Sequence, residues 1–132
     1  MRRNPTPDTA AVIIVNTNGQ VLVLMRGATV AWKPGYWNLP GGIIGRGEYP
    51  RQAAVREAQE ETGLTPVEPW SLETYEGSGW TLEVFVAMRH RGELKLDSGS
   101  DGYAWISREQ LDHFRFVPFV KRALQRAFGV LG

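Results

Sequence analysis

A glycine-rich stretch followed by an acidic segment constrains this chain more than any other feature of its sequence. The stretch Gly41–Leu64 reads GGIIGRGEYPRQAAVREAQEETGL and holds four of the chain's 14 acidic residues. Pro50 suits the first turn of a helix, because the N–H that proline lacks would be unpaired there. Gly63 suits the left-handed residue just past a helix end. We therefore predict a loop followed by a helix over Pro50–Thr62.

The predicted helix carries its acidic residues on one face. At 100° per residue, Glu57, Glu60 and Glu61 fall within a sector of roughly 100°, beside an apolar stripe that can pack on a sheet. Like charges at these spacings destabilise a helix, and anions near its C-terminal end oppose the helix dipole. Ala53 lies between the glutamates, where a small side chain leaves room for an ion. Bound Mg²⁺ or Mn²⁺ would compensate for this destabilisation of the helix, since both ions prefer carboxylate oxygen. The alternative is an acidic helix face that is simply exposed to solvent.

Apolar runs on either side of this segment predict strands. Asn18-Gly19 separates the nearly continuous apolar runs Ala10–Val15 and Val21–Met25, and this dipeptide favours a hairpin turn. Their continuous apolar character predicts burial on both faces. A short extended piece is predicted at Tyr36–Leu39. The segments WSLETYEG, WTLEVFVAMRH and YAWIS predict further strands.

Two more helices are predicted near the C-terminus. Ser107 and Gln110 fit a capping box for a short helix over Arg108–His113. Pro118 starts a final helix that ends at Gly129 and carries its apolar residues on one face. Strands outnumber helices in this order, which favours an α+β domain with a mixed sheet covered by helices.

Length and composition bound the class of protein. With 132 residues, of which 42% are hydrophobic, one domain over residues 1–132 is expected. The net charge of +1 gives no support for bulk electrostatic binding to nucleic acid. The absence of cysteine excludes disulfides and thiolate metal sites. The sequence shows neither a membrane-length apolar run nor a signal-peptide pattern after the basic, turn-forming start MRRNPTPDT. A cytoplasmic protein is expected, although a mature secreted chain would look the same.

The acidic segment resembles the Nudix box. Gly42 is followed after five residues by Glu48, and after seven more by REAQEETGL, which begins at Arg56. This arrangement is similar to the pattern G-x5-E-x7-R-E-U-x-E-E-x-G-U, where U is a bulky aliphatic residue. Ala58, at the first U, is the one soft departure. On residues 42–64 the chain is identified as a small, MutT-like member of the Nudix hydrolase family.

The resemblance implies a fold, a cofactor and a set of site residues. The family has an α/β/α sandwich around a mixed sheet and hydrolyses a nucleoside diphosphate linked to another group, using Mg²⁺ or Mn²⁺. Glu57 or Glu60 would act as general base, and Arg56 would orient a box glutamate through a charge-assisted hydrogen bond. Gly42 would give the loop a tight turn at the metal site. The metal ligands implied by the resemblance are Glu57, Glu60 and Glu61, with Glu48 assisting.

Residues outside the box are candidates for binding substrate. Many family members add an acidic residue from a later loop, where this chain offers Asp97 or Asp101; a turn aspartate is the alternative for each. Arg26 could face a phosphate or could be a surface charge at a strand end. Three aromatic residues could stack on a base or pack within the protein: Trp32, Tyr36 and Trp80.

The compact domain favours a free nucleotide as substrate, including damaged nucleoside triphosphates, with a monophosphate and pyrophosphate as products. Within the family, the alternatives are hydrolysis of ADP-ribose or a nucleotide sugar and hydrolysis of RNA 5′ ends; the near-neutral charge weighs against long RNA. A non-catalytic nucleotide-sensing module is the alternative of another class, but such modules typically lose box glutamates that this chain keeps. The sequence leaves a monomer and a homodimer both open.

Overall fold

The computed structural model describes residues 7–132. The basic start of the chain, residues 1–6, lies outside the described residues. Within residues 7–132 the chain forms nine strands, two α-helices and one 3₁₀ helix. The strands are β1 (Thr9–Ile14), β2 (Val21–Arg26), β3 (Trp37–Asn38), β4 (Gly41–Ile43), β5 (Leu64–Val67), β6 (Trp70–Gly77), β7 (Trp80–Ala87), β8 (Arg89–Gly92) and β9 (Ser100–Ile106). The helices are α1 (Pro50–Thr62), the 3₁₀ helix Arg108–His113 and α2 (Val120–Leu131).

Strand β1 lies inside a four-stranded sheet with the order β4-β1-β7-β6. It runs antiparallel to β4 and parallel to β7, so this sheet is mixed. A second sheet has the order β3-β2-β9 and is antiparallel throughout. Strands β5 and β8 form a separate antiparallel pair. The mixed α+β architecture that the sequence predicts is confirmed.

The buried side chains of β1 alternate between two hydrophobic cores. Val12 and Ile14 pack in the core that contains the apolar face of α1. Ile13 and Val15 pack in the core that contains the apolar face of α2. Because successive strand residues point to opposite faces of a sheet, the sheet layer lies between the two helices. The expected burial of this strand on both faces, and the α/β/α arrangement, are therefore present.

Strands β1 and β2 do not pair as the predicted hairpin. The turn forms, with Gly19 at a φ of 74°, but only the bridge between Val15 and Val21 joins the two strands. Each strand then takes two other neighbours, β1 in the first sheet and β2 in the second. The prediction was wrong because the Asn-Gly signal reports a turn, whereas strands that are apolar on both faces can each take a central place in a sheet.

Helix α1 begins and ends where the sequence predicts. The Tyr49 N–H donates to Gln52 Oε1 at 2.9 Å at the start. Gly63 has a φ of 76° at the end, and its N–H donates to the Gln59 carbonyl. Ala53 is a correction, since it is fully buried in the core under α1 and does not lie between the glutamates. The core takes this side chain because it borders the apolar stripe of the helix.

The C-terminal helices differ from the prediction in detail. Helix α2 starts at Val120 because Phe119 has a left-handed φ of 73°, and it continues through Gly129 to Leu131. The helix Arg108–His113 is a 3₁₀ helix, and its predicted cap is present, with the Ser107 N–H donating to Gln110 Oε1 at 2.9 Å. No helix within residues 7–132 is long and apolar enough to span a membrane.

Candidate active site

The guanidinium of Arg56 contacts three carboxylates, one from the loop before α1 and two from α1 itself. Its Nε and Nη2 donate to the two oxygens of Glu48 at 2.7 and 2.9 Å. Its Nη1 donates to Glu57 Oε1 at 3.0 Å and lies 3.3 Å from Glu60 Oε2. A planar guanidinium fork matches the two oxygens of a carboxylate. Since Glu48 lies in the loop and Arg56 on α1, this pair fixes the loop against the helix.

Glu48 is held as an anion. Hydrogen bonds from Arg56, together with one from the Gly45 N–H at 2.8 Å, lower the pKa of Glu48 to about 2. Its side chain is 17% exposed, whereas that of Glu60 is 57% exposed. One guanidinium thus pairs with three carboxylates, so the cluster of Arg56, Glu48, Glu57 and Glu60 carries a net negative charge.

Glu57 lies directly over Gly42. A Cβ on Gly42 would come within 2.5 Å of Glu57 Cδ. Gly42 belongs to β4, opposite Ala10 on β1, and its φ is not in the positive region. The tight turn expected at Gly42 is therefore wrong. Glycine is required here because the carboxylate of Glu57 occupies the space that a side chain would fill.

Glu61 points to the backbone of β4, away from Arg56. Its Oε1 accepts a hydrogen bond from the Gly41 N–H at 2.8 Å. Burial raises the pKa of Glu61 to about 8; the negative charges of Glu57 and Asp97 act in the same direction, and the Gly41 N–H opposes them. Without a cation nearby, this carboxyl keeps a proton at neutral pH. Glu61 therefore differs chemically from Glu48, although both belong to the box.

The chemistry of these carboxylates fits a hard divalent cation. Carboxylate oxygens are the donors that Mg²⁺ and Mn²⁺ prefer, and the excess negative charge favours a cation. Among the residues that the structure describes, no three acidic or histidine side chains converge as closely as metal ligands do. The reason is that Arg56 lies among Glu57, Glu60 and Glu48, while Glu61 turns to the β4 backbone. The groups that could hold a cation are Glu57, Glu60 and Glu61, whereas both oxygens of Glu48, which was expected to assist them, accept hydrogen bonds from Arg56.

A cleft of about 470 Å³ adjoins the carboxylates. Gly41 and Gly42 form part of its wall, and the same two glycines contact Glu61 and Glu57. The cleft and the carboxylates therefore share the backbone of β4. Most of the cleft wall is apolar. Its lining residues are Thr9, Ala10, Ala11, Arg26, Trp32, Asn38, Leu39, Gly41, Gly42, Ile43, Trp80, Leu82, Val117, Pro118 and Val120.

Three of the substrate-binding candidates lie in this cleft, namely Arg26, Trp32 and Trp80. Arg26 Nε donates to the Trp32 carbonyl at 2.7 Å, which fixes the loop after β2. Trp80 packs edge-on against Phe119 at a centroid distance of 5.3 Å. The guanidinium of Arg26 lies 5.2 Å from the ring centroid of Trp32. The cleft thus offers one cation and two indole rings to a ligand.

The other three candidates lie elsewhere. Tyr36 packs beside the core under α2. Asp97 Oδ1 accepts a hydrogen bond from the Gly99 N–H at 3.0 Å. Asp101 Oδ2 accepts one from the Ala28 N–H at 2.9 Å. Both aspartates thus accept turn hydrogen bonds, and Asp97 also lies close enough to Glu61 for its charge to raise the pKa of that carboxyl.

Sequence reasoning missed several residues of the cleft. Asn38 and Gly41 belong to the run that enters the box, so their position next to Gly42 was the available signal. Leu82 and Val117 come from β7 and from the segment before α2. Their apolar character marks them as core, and only the fold shows that they face a cleft.

The chain is similar to known proteins over most of its length. The NUDIX domain family matches residues 5–127. The Escherichia coli 8-oxo-dGTP diphosphatase is 36% identical over 83% of this chain and 86% of its own length. The nucleoside triphosphatase NudI of Escherichia coli is 31% identical over 70% of this chain and 76% of its own length. In a longer Caenorhabditis elegans relative, the match spans 29% of the protein.

Solved structures show the same fold. The crystal structure of the MutT protein from Methanosarcina mazei superposes with a TM-score of 0.75 at 26% identity, over 96% of this chain and 95% of that one. The family match spans more than nine-tenths of the sequence, and the box lies on the loop and helix beside the cleft. The chain belongs to the Nudix pyrophosphohydrolase family.

Proposed function

We propose that this protein hydrolyses free nucleoside triphosphates, damaged ones included, to a monophosphate and pyrophosphate. The observation that carries the proposal is the wall shared by the apolar cleft and the box carboxylates. At about 470 Å³, the cleft falls within the range of small-molecule sites, roughly 300–1,000 Å³. The 8-oxo-dGTP diphosphatase and the nucleoside triphosphatase among the relatives support a free nucleotide.

The cleft would hold the nucleoside. Trp32 and Trp80 offer ring faces on which a base can stack, which contributes about 1–3 kcal/mol per base. Trp32 is 51% exposed, so part of its side chain is open to a ligand. Arg26 lies beside Trp32 and close enough to Glu61 to lower the pKa of that carboxyl. Its nearness to both Trp32 and Glu61 supports a role for its guanidinium in binding the phosphates of the nucleotide.

The carboxylates of α1 would act on the diphosphate. Mg²⁺ or Mn²⁺, when bound, would neutralise phosphate charge and lower the pKa of the attacking water. Arg56 restrains Glu57 and Glu60, and Gly42 lets Glu57 lie close to the cleft wall. Glu57 or Glu60 would accept the proton of the water as it attacks a phosphorus atom. The oxygen that bridges two phosphorus atoms then leaves with the pyrophosphate.

A nucleotide panel with Mg²⁺ tests this proposal. The substrates are the four deoxynucleoside triphosphates, 8-oxo-dGTP, ADP-ribose and a nucleotide sugar, with products identified by mass. We expect monophosphate and pyrophosphate from at least one triphosphate. We expect Glu60→Gln to lower kcat by roughly 10²-fold or more. Glu76→Gln, an exposed carboxylate on β6, should change nothing and serves as the matched control.

Two results would contradict the proposal. If the protein hydrolyses only ADP-ribose or only the nucleotide sugar, it is a Nudix hydrolase but its substrate is not a nucleoside triphosphate. Tight nucleotide binding without turnover of any substrate would instead favour the sensing module.

A further inference from the structure

The segment before α2 makes a turn with a backbone conformation that phenylalanine rarely adopts. Phe119 has a φ of 73° and a ψ of −14°, and the Val120 N–H donates to the Val117 carbonyl at 3.3 Å across the turn. These angles are close to those of the third residue of a type II turn, where glycine or asparagine is usual. A bulky side chain at such a φ is destabilising and persists only where its surroundings enforce it.

The ring of Phe119 contacts two other aromatic rings. It lies edge-on to Trp80, with 5.3 Å between the ring centroids and 83° between the ring planes. It lies 5.9 Å from the ring centroid of Tyr75, which is 3% exposed and belongs to the core under α2. Edge-on aromatic pairs are favourable beyond the area that they bury. Phe119 therefore connects Trp80 to the buried core.

Trp80 has a second close contact on β6. Gly77 pairs with Trp80 at the end of the hairpin between β6 and β7. A Cβ on Gly77 would come within 2.3 Å of Trp80 Cε2, so the indole ring covers this glycine. The φ of Gly77 is not in the positive region, so the backbone does not require glycine here. The indole ring occupies the space that a side chain on residue 77 would fill.

The turn at Phe119 also forms part of the cleft. Of the described residues in this turn, Phe119 does not line the cleft, whereas its neighbours do; these are Val117, Pro118 and Val120. Trp80 lines the same cleft. The turn thus supplies wall residues to the cleft and brings the Phe119 ring against the indole ring of Trp80.

We propose that Phe119 is a positioning residue for nucleotide binding, which holds the indole ring of Trp80 in the orientation in which a base stacks on it. The inference rests on the proposed function for the stacking role of Trp80 and adds the residue that fixes that ring. A ring that is already ordered loses little freedom when the ligand binds, which favours affinity. This role gives a reason for phenylalanine at a position where glycine would fit the backbone with less strain.

Equilibrium binding with Mg²⁺ tests the role of Phe119. The ligands are the α,β-imido analogues of dGTP and dATP, in which the bond that the proposed function cleaves resists hydrolysis, and imidodiphosphate, which has no base. Phe119→Leu removes the ring and keeps a side chain at the strained φ. Phe119→Gly removes both the ring and the strain, and Phe119→Tyr keeps the ring. Gly77→Ala displaces Trp80 from its other contact.

The matched control is Phe114→Leu. Phe114 lies edge-on to Trp37, with 4.9 Å between the ring centroids and 85° between the ring planes. This pair has the geometry of the Phe119–Trp80 pair, but neither of its two residues lines the cleft. Melting temperatures verify that each variant is folded.

Loss of the Phe119 ring should weaken the binding of the base and not that of the phosphates. We expect Phe119→Leu, Phe119→Gly and Gly77→Ala each to raise the Kd of the tighter imido nucleotide about fivefold. The Kd of imidodiphosphate should stay within about twofold. Phe119→Tyr and Phe114→Leu should leave both Kd values within about twofold.

The indole N–H signal of Trp80 in ¹H–¹⁵N spectra reports the position of the ring independently of turnover. Its absence in Trp80→Phe assigns the signal. We expect it to shift when the imido nucleotide is added to the wild type. It should already differ from the wild type in ligand-free Phe119→Leu, because the ring that lies edge-on to the indole has been removed.

Four results would overturn the role of Phe119. They are wild-type affinity for the imido nucleotides in Phe119→Leu and Phe119→Gly, an equal loss for imidodiphosphate, an unchanged Trp80 signal in Phe119→Leu, and an equal loss in Phe114→Leu. If the wild type binds neither imido nucleotide, the inference fails together with the assignment of the cleft to the nucleoside. A protein that binds them but turns over no triphosphate in the panel would leave a positive result intact. An active enzyme without these changes would refute only the role of Phe119.

Discussion

The carboxylate of Glu57 occupies the space that a Cβ on Gly42 would need, with only 2.5 Å between that position and Glu57 Cδ. Gly42→Ala must therefore push Glu57 away from the cleft wall and from Arg56. We expect kcat/KM to fall by about 10²-fold, since small misplacements of catalytic groups have effects of that size. Steady-state kinetics with Mg²⁺ measure the loss.

Gly129→Ala is the matched control for that substitution. Gly129 lies in α2, and a Cβ there would meet no atom within 4 Å. We expect unchanged activity and a gain in stability of about 0.5–1 kcal/mol, because alanine favours a helix interior over glycine. Normal activity in Gly42→Ala would show that the position of Glu57 against β4 is not required.

Divalent cations should stabilise the protein through the carboxylates of α1. A cation present at 100 times its Kd stabilises the folded state by about 2.7 kcal/mol, so Mg²⁺ or Mn²⁺ should raise Tm by several degrees. Glu57→Gln and Glu60→Gln should remove most of that rise, whereas Glu76→Gln should retain it. Differential scanning calorimetry with and without the cation measures the shift. Equal Tm shifts in the wild type and in all three variants would show that the cation binds elsewhere.

Local signals in the sequence predicted the helix of the site but not its side-chain arrangement. Pro50 and Gly63 fix the ends of α1 through backbone chemistry, so the helix could be predicted residue by residue. Helical spacing placed Glu61 with Glu57 and Glu60 on one face. It could not show that Glu61 turns to the Gly41 N–H, because that bond depends on how β4 packs beside the helix.

The cleft was less predictable than the helix for the same reason. Residue type alone predicted Arg26, Trp32 and Trp80 as substrate-binding candidates, but it could not predict Val117. The cleft is assembled from β1, β2 and the loop after it, β3, β4, β7 and the start of α2 with the segment before it, and several of these elements are far apart in sequence. Strand pairing decides these neighbours, and the wrong hairpin prediction for β1 and β2 shows that local turn signals do not report it.

Glu61 should make the metal-free protein less stable as pH rises. Its pKa is about 8 in the folded protein against an ordinary value of 4.5, so the folded state binds the extra proton between these values. The contribution of Glu61 to the free energy of unfolding is therefore fully present below pH 4.5 and is lost as pH rises to about 8. We expect a loss of roughly 3 kcal/mol after allowing for partial solvent screening.

Urea unfolding in EDTA at intervals from pH 5 to pH 8 measures this loss. Glu61→Gln keeps an acceptor for the Gly41 N–H and carries no charge, so its stability should vary less over that range. The charges that face Glu61 are those of Glu57, Asp97 and Arg26. Asp97→Asn serves as a second variant, which should reduce the dependence only in part. Equal pH dependence in wild type and Glu61→Gln would show that another group is responsible.

Asn38 should decide which bases the cleft accepts. Of the described residues that line the cleft, Asn38 alone carries a side-chain amide. Its Oδ1 accepts a hydrogen bond from the Leu39 N–H at 2.8 Å, which leaves the Nδ2 donor for a ligand. Where this donor meets the six-position of a purine it favours guanine, because the guanine O6 accepts a hydrogen bond and the adenine N6 amino group does not. Losing one such hydrogen bond to a ligand costs about 1–3 kcal/mol.

Asn38→Leu should therefore lower kcat/KM for dGTP by roughly tenfold and leave dATP nearly unchanged. Asn38→Asp replaces the donor with an acceptor, so the preference should shift from dGTP towards dATP, whose amino group donates. The ratio of kcat/KM for the two nucleotides in the three proteins is the measurement, because a general loss of folding would lower both values together. If the ratio stays constant across all three proteins, the base does not contact Asn38 and the apolar wall alone sets its position.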